Sequence, residues 1–208
     1  MAQSMRPGLS CHSMGAASMG GRSPAVRAAL VCVGLMVITA AIEYAMGRLA
    51  FCKCGVISLW SGDIWSDQNS QQLADPYSFT HVIHGVLYYA LLWLLFGRRL
   101  TISTRLPLAV LIEAGWEILE NSPIIIDRYR TVTISLGYYG DSIFNSLGDI
   151  VFMAAGFLLA WRLPVRVTVI GTIVTELILL WWIRDNLTLN IIMLIHPVEA
   201  IKNWQMVH

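Results

Sequence analysis

Of 208 residues, 56% are hydrophobic and only 13% charged, where an ordinary soluble domain carries about a quarter charged residues. That composition argues against a water-soluble enzyme and excludes a disordered chain. A net charge of +1 offers no basic surface for nucleic acid.

Residues 1–26 are rich in Met, Ser and Gly without hydrophobic periodicity, and are expected to form a disordered cytoplasmic leader before a single helical domain over 27–208. A spanning helix needs about 20 mostly apolar residues. Five stretches come close, near 28–47, 82–97, 107–121, 143–161 and 165–183. The first is expected to be an uncleaved signal-anchor. The apolar run Leu187–Ile195 is too short to span, and predicts an interfacial helix. The fold class is therefore all-α: a polytopic membrane helix bundle with a folded outer loop between its first two spans. Eight of the fourteen lysines and arginines lie before the first span, between the second and third, or between the fourth and fifth. The positive-inside rule then places the N-terminus in the cytoplasm and the long loops outside.

Ionisable side chains inside a span cost several kcal/mol and suggest function. His81 and His84 open the second span. Glu113, Glu117 and Asn121 recur every four residues on the third, next to Glu120. Asp141, Asn145 and Asp149 do the same at the start of the fourth. Each set shares one helix face. Glu43 and Glu176 stand singly on the first and fifth spans. With the N-terminus inside, these faces meet within roughly 12 Å of the outer boundary, at about 1.5 Å per residue, and predict an acidic cavity opening outward. So many carboxylates require protonation, a bound cation or an incoming arginine, for which Arg128 and Arg130 are the candidates. One divalent metal ion on His81, His84 and Asp141, with Glu117, Asp141 and Asp149 as catalytic carboxylates, suits the donor types. Plain interhelical hydrogen bonding by the histidines, Ser142, Asn145 and Ser146 is the alternative. Cys52 and Cys54 lack a second cysteine pair nearby, and Cys11 and Cys32 are not expected to reach them for a disulfide.

Cys54-Gly55, Ser70-Gln71, Thr80–Gly85, Trp116–Asn121, Arg128-Tyr129-Arg130 and Gly140–Asp149 together resemble an uncharacterised family of bacterial multi-pass inner-membrane proteins. The resemblance implies an inner-membrane location and places Gln72 where that family commonly has histidine. A more distant similarity is to VanZ-like membrane proteins, carried by Glu117, Arg128 or Arg130, Asp141, Asn145 and Gly148. It implies a place in the cell envelope.

Three functions fit these residues. The first is a metal-assisted membrane hydrolase or transferase acting on an envelope lipid or headgroup. The second is a proton- or cation-coupled carrier. The third is a non-enzymatic envelope protein that binds a lipid headgroup or partner through residues 52–80. The partners expected are the lipid bilayer and such a headgroup, with oligomeric state open.

Overall fold

A computed structural model describes residues 23–207, so the expected leader lies outside the described residues as far as position 22. Eight α-helices follow: α1 (Pro24–Ala45), α2 (Ser78–Phe96), α3 (Ile102–Glu120), α4 (Pro123–Val132), α5 (Ile143–Arg162), α6 (Val165–Ile183), α7 (Leu187–Ile195) and α8 (Glu199–Met206). Residues 24–26, expected in the leader, already belong to α1. Each of the five stretches read as spans becomes a long helix. Four of them, α1, α2, α5 and α6, are long and apolar enough to cross a membrane. The chain is a polytopic helical bundle. α3 is also 19 residues long, but its acids lower its hydropathy, and it packs against α1, α2 and α5 so that Glu113 and Glu117 are turned inward.

Local chemistry sets the helix starts. The Ser142 hydroxyl accepts the Asn145 N–H at 3.1 Å and caps α5, and the side-chain amide oxygen of Asn186 accepts the Leu189 N–H at 2.9 Å and caps α7. Pro24 and Pro123 occupy first-turn positions of α1 and α4, where a missing N–H costs nothing. At the far end of α6, Arg184 adopts a left-handed conformation (φ 53°) and stops the helix. The next residue, Asp185, is buried; it accepts the Asn186 N–H at 2.9 Å and the Tyr77 hydroxyl at 3.1 Å.

α2 and α5 form the centre. A Cβ on Gly85 would fall on the carbonyl oxygen of Met153, and one on Gly156 on the carbonyl oxygen of Val82. The two backbones therefore touch where only glycine allows it. Beneath lies a dry core of Leu92, Ala109, Val110, Ala114, Ile150, Met153 and Phe157. α1 and α6 lie at the periphery with valines and isoleucines exposed, among them Val33, Val37, Ile170 and Ile173, a surface that suits lipid and not water.

Residues 46–77 fold without regular structure and are tied to the bundle end. The Ser142 N–H donates to the Ser70 carbonyl at 2.9 Å, the Gln71 amide to the Gly140 carbonyl at 2.8 Å, and Trp60 stacks on Trp182. Cys52 and Cys54 are disulfide-bonded to each other, a pairing the search for a distant partner overlooked. Gln72 receives the Ser58 N–H at 2.7 Å and donates to the Val56 carbonyl at 3.1 Å; it braces this loop.

Two outcomes follow. Gly156→Ala should destabilise the detergent-solubilised protein by about 1–3 kcal/mol, while Gly34→Ala, which meets open space, should not; thermal unfolding of both variants checks this. Burial raises the Asp185 carboxyl from 3.8 to about 6, against the donors from Asn186 and Tyr77. Its contribution to stability is thus fully present below about pH 4 and lost as pH rises through about 6, a swing on the order of 3 kcal/mol. Asp185→Asn should flatten the decline of the unfolding temperature between pH 4 and 7.

Candidate functional site

The start of α2 supplies two imidazoles to one face. The His81 Nδ1 lies 2.6 Å from Glu113 Oε1, and His84 Nδ1 lies 3.2 Å from both oxygens of the same carboxylate. Glu113 is fully buried, so this contact with two imidazoles is what satisfies it. One turn along α3, Glu117 Oε1 is 3.4 Å from His81 Nδ1. From α5, Asp149 Oδ2 stands 3.8 Å from His81 Nε2, with its other oxygen held by the Ser78 hydroxyl at 2.8 Å. The α2–α5 contact at Gly85 puts α5 close enough for this: His81 and Asp149 each sit one turn ahead of the touching pair Gly85 and Met153.

Glu113 and Glu117 are buried against His81, while His81, His84 and Asp149 line a cavity of about 310 Å³. Its polar end holds His81, His84, Asp75, Glu120, Asp141 and Asp149; aromatic and aliphatic residues, including Tyr88, Trp116, Leu87, Leu187, Ile191 and Leu194, line the rest. No lysine or arginine lines it among the described residues. Asp141 lies at its edge outside the helices. Burial pushes its carboxyl up to about 7, against the hydroxyls of Tyr138 and Ser70 and the Asn121 amide.

The expected residues divide into three groups. His81, His84, Glu113, Glu117 and Asp149 lie together in the structure. Asp141 and Asn145 reach the cavity wall, but Asp141 is not the third partner of the histidines. Glu113 takes that place, and the close groupings of potential metal ligands among the described residues are His81–His84–Glu113 and His81–Glu117–Glu120. Asp141 is held by the Asn121 side chain instead: its N–H donates to Asn121 Oδ1 at 2.7 Å and its Oδ2 accepts from Asn121 Nδ2 at 3.1 Å. Asn145 donates to the Gln72 carbonyl at 2.9 Å and anchors the loop.

Arg128, Arg130 and Glu176 stand elsewhere. Arg128 donates to the Leu194 carbonyl at 2.9 Å, and Arg130 to the Tyr138 carbonyl. They satisfy carbonyls in the last turn of α7 and in the loop before α5, and neither lines the cavity to offset its acids. Arg48 donates to the Tyr139 carbonyl and lies near Glu43, the one acid of α1. Glu176 caps α7, accepting the N–H groups of Leu187 and Thr188 at 3.0 Å each and the Thr188 hydroxyl at 2.6 Å.

Asp75 was missed. It lies in the turn before α2, accepts the N–H groups of Ser70 and Tyr77 at 2.8 Å each, and lines the cavity; burial raises its carboxyl despite those donors. An acid followed by Pro76 and Tyr77 just before a helix was the available signal. Because Glu176 is a cap, Glu176→Ala should lower stability by about 1–2 kcal/mol without altering ligand or metal binding in the cavity, as thermal unfolding and elemental analysis of the same samples would show.

Comparison with known proteins follows the same stretch of chain. The model of the family described as Protein of unknown function (DUF2585) matches residues 43–207, from Glu43 through the whole of the site. A UPF0314 protein of Agrobacterium fabrum is 55% identical over 184 residues, covering 88% of this chain and 92% of the relative. One from Novosphingobium aromaticivorans is 59% identical over 177 residues, 83% of this chain and 88% of its own, and one from Sphingopyxis alaskensis is 54% identical over 179 residues, 85% and 93%. None of these matches bears on the likeness to VanZ-like proteins. No solved structure matches the chain. At this coverage and identity, the chain belongs to the DUF2585 family.

Proposed function

We propose that the protein is a metal-assisted hydrolase or transferase of the bacterial inner membrane, acting from the outer face on an amphiphilic envelope compound. The observation that carries this reading is the convergence of His81, His84 and Glu113, the two imidazoles opening onto a cavity that combines acids with an aliphatic and aromatic wall. Two imidazoles and a carboxylate are a common ligand set for zinc or manganese, and an ion there would polarise the substrate and a nearby water. A polar head fits the acidic end, and a hydrocarbon tail fits beside Leu87, Ile191 and Leu194. The orientation rests on the basic connections Arg98-Arg99 and Arg162–Arg166, at the opposite ends of α2 and α5 from the cavity.

In hydrolysis, a carboxylate takes one proton from the attacking water, the water oxygen bonds to the substrate centre, and the leaving oxygen takes the proton as its bond breaks. Glu117 suits the first task. It is fully buried, and neither of its oxygens has a hydrogen-bond partner, so it is free to accept the proton. Asp149, fixed by Ser78, positions His81. Asp141, tied to Asn121, shapes the cavity edge. In transfer, an acceptor hydroxyl replaces the water.

Glu43 favours the carrier reading, being fully buried without a hydrogen-bond partner on either oxygen. Below the cavity, however, the bundle is closed by Ala109, Met153 and Phe157, all at 0% exposure, which argues against a path to the other face.

Mass-spectrometric elemental analysis of detergent-purified protein tests the proposal. Wild type should hold at least one zinc or manganese ion per chain. His84→Ala should lower that content while circular dichroism stays helical, and Gln72→Ala should leave it unchanged. Wild type that remains metal-free after incubation with both ions would overturn the reading, leaving a carrier or a binding protein.

A further inference from the structure

We infer that the cavity holds a second divalent cation, on His81, Glu117 and Glu120, beside the one held through His84 and Glu113; this rests on the metal-assisted reading above. His81, Glu117 and Glu120 each offer one ligand atom, and these atoms lie within 4.8 Å of one another. That is the spacing of a coordination sphere before it tightens on an ion of about 2.1 Å bond length.

Glu117 points independently to a ligand. A fully buried carboxylate with no hydrogen bond on either oxygen is costly to leave unpaired, and its near neighbour, the His81 Nδ1 at 3.4 Å, already lies 2.6 Å from Glu113. A cation between Glu117 and Glu120 takes one oxygen of Glu117 as its ligand and leaves the other to take the proton from the attacking water.

Charge leads to the same place. Asp75 and Asp141 are held by donors of their own, which leaves Glu113, Glu117, Glu120 and Asp149 beside the two imidazoles, and no lysine or arginine lines the cavity among the described residues. Two protonated histidines would offset two of these four acids and would give up metal binding in doing so. One divalent ion offsets two of the four charges at low dielectric; a second offsets the other two without protonating any ligand.

The two ligand sets overlap at His81, and one imidazole nitrogen serves one ion. With both ions present, His81 goes with Glu117 and Glu120, while His84 and Glu113 keep the first. Glu113, within 3.2 Å of both imidazoles, is placed to bridge them through its two oxygens. A carboxylate bridge holds metal ions about 3.5–4 Å apart, the separation at which a pair clamps the attacking and leaving oxygens of one displacement.

The experiment uses full-length protein in detergent, stripped with a chelator, reloaded with manganese(II) and freed of excess ion by gel filtration. Two manganese ions per chain in wild type, falling to one in Glu120→Gln, support the inference. One ion in wild type, unchanged in Glu120→Gln, overturns it and leaves the proposed function standing. No bound ion overturns both. Should Glu120→Gln fail to fold, the electron paramagnetic resonance spectrum of loaded wild type decides. A multiline spectrum from a coupled pair supports the second ion, and the six-line spectrum of an isolated ion overturns it.

Discussion

The close approach of α2 and α5 at Gly85 and Gly156 is the contact on which the site depends. The two helices touch backbone to backbone, with Met153 and Val82 carbonyls occupying the space that any side chain on the facing glycine would need. This fixes the relative height of the two helices, and so brings Asp149 alongside His81, one turn before the contact. α3 then adds Glu113 and Glu117 from the third side. Packing in an apolar surrounding gains little from burial alone, because lipid is as apolar as the core; shape fit and interhelical hydrogen bonds must decide the arrangement. Glycine pairs and carboxylate–imidazole contacts supply both here.

The arginines explain why the cavity stays acidic. Arg48 and Arg130 donate to main-chain carbonyls of the connecting loop, at Tyr139 and Tyr138, and Arg128 to that of Leu194 in the last turn of α7. Those carbonyls lie at a helix end or in an irregular loop, where no helical partner exists for them. The cations thus hold the segments that cover the bundle end, and none of them lines the cavity.

How much of this was legible in the sequence follows the range of each signal. The helices were legible because membrane-length apolar runs are long and unbroken, and the His81, Glu113, Glu117 and Asp149 set was legible because helical spacing puts polar residues on common faces. What failed depends on loops. The residues between 121 and 142 have no period from which direction can be read, so Arg128 and Arg130 were assigned to acids that their side chains do not reach. Asp141 is expected beside the histidines because its spacing puts it on a face with Asn145 and Asp149, yet it precedes the first turn of α5 and, after the turn at Gly140 (φ 95°), pairs with Asn121. Glu176 showed only that an acid stood in an apolar helix. Its partners are the free N–H groups of a helix eleven residues further on, which the expected interfacial helix at 187–195 implied but did not locate.

The cavity wall is made of segments remote in the chain: residues 69–88 on one side, 116–149 on another, and Leu187 to Leu194 of α7 closing the last. During synthesis the histidines are laid down more than a hundred residues before the helix that completes their enclosure. A chain that has not yet made α7 therefore carries the imidazoles and acids without the last of the apolar wall, and the cavity comes into being only when the whole bundle is in place.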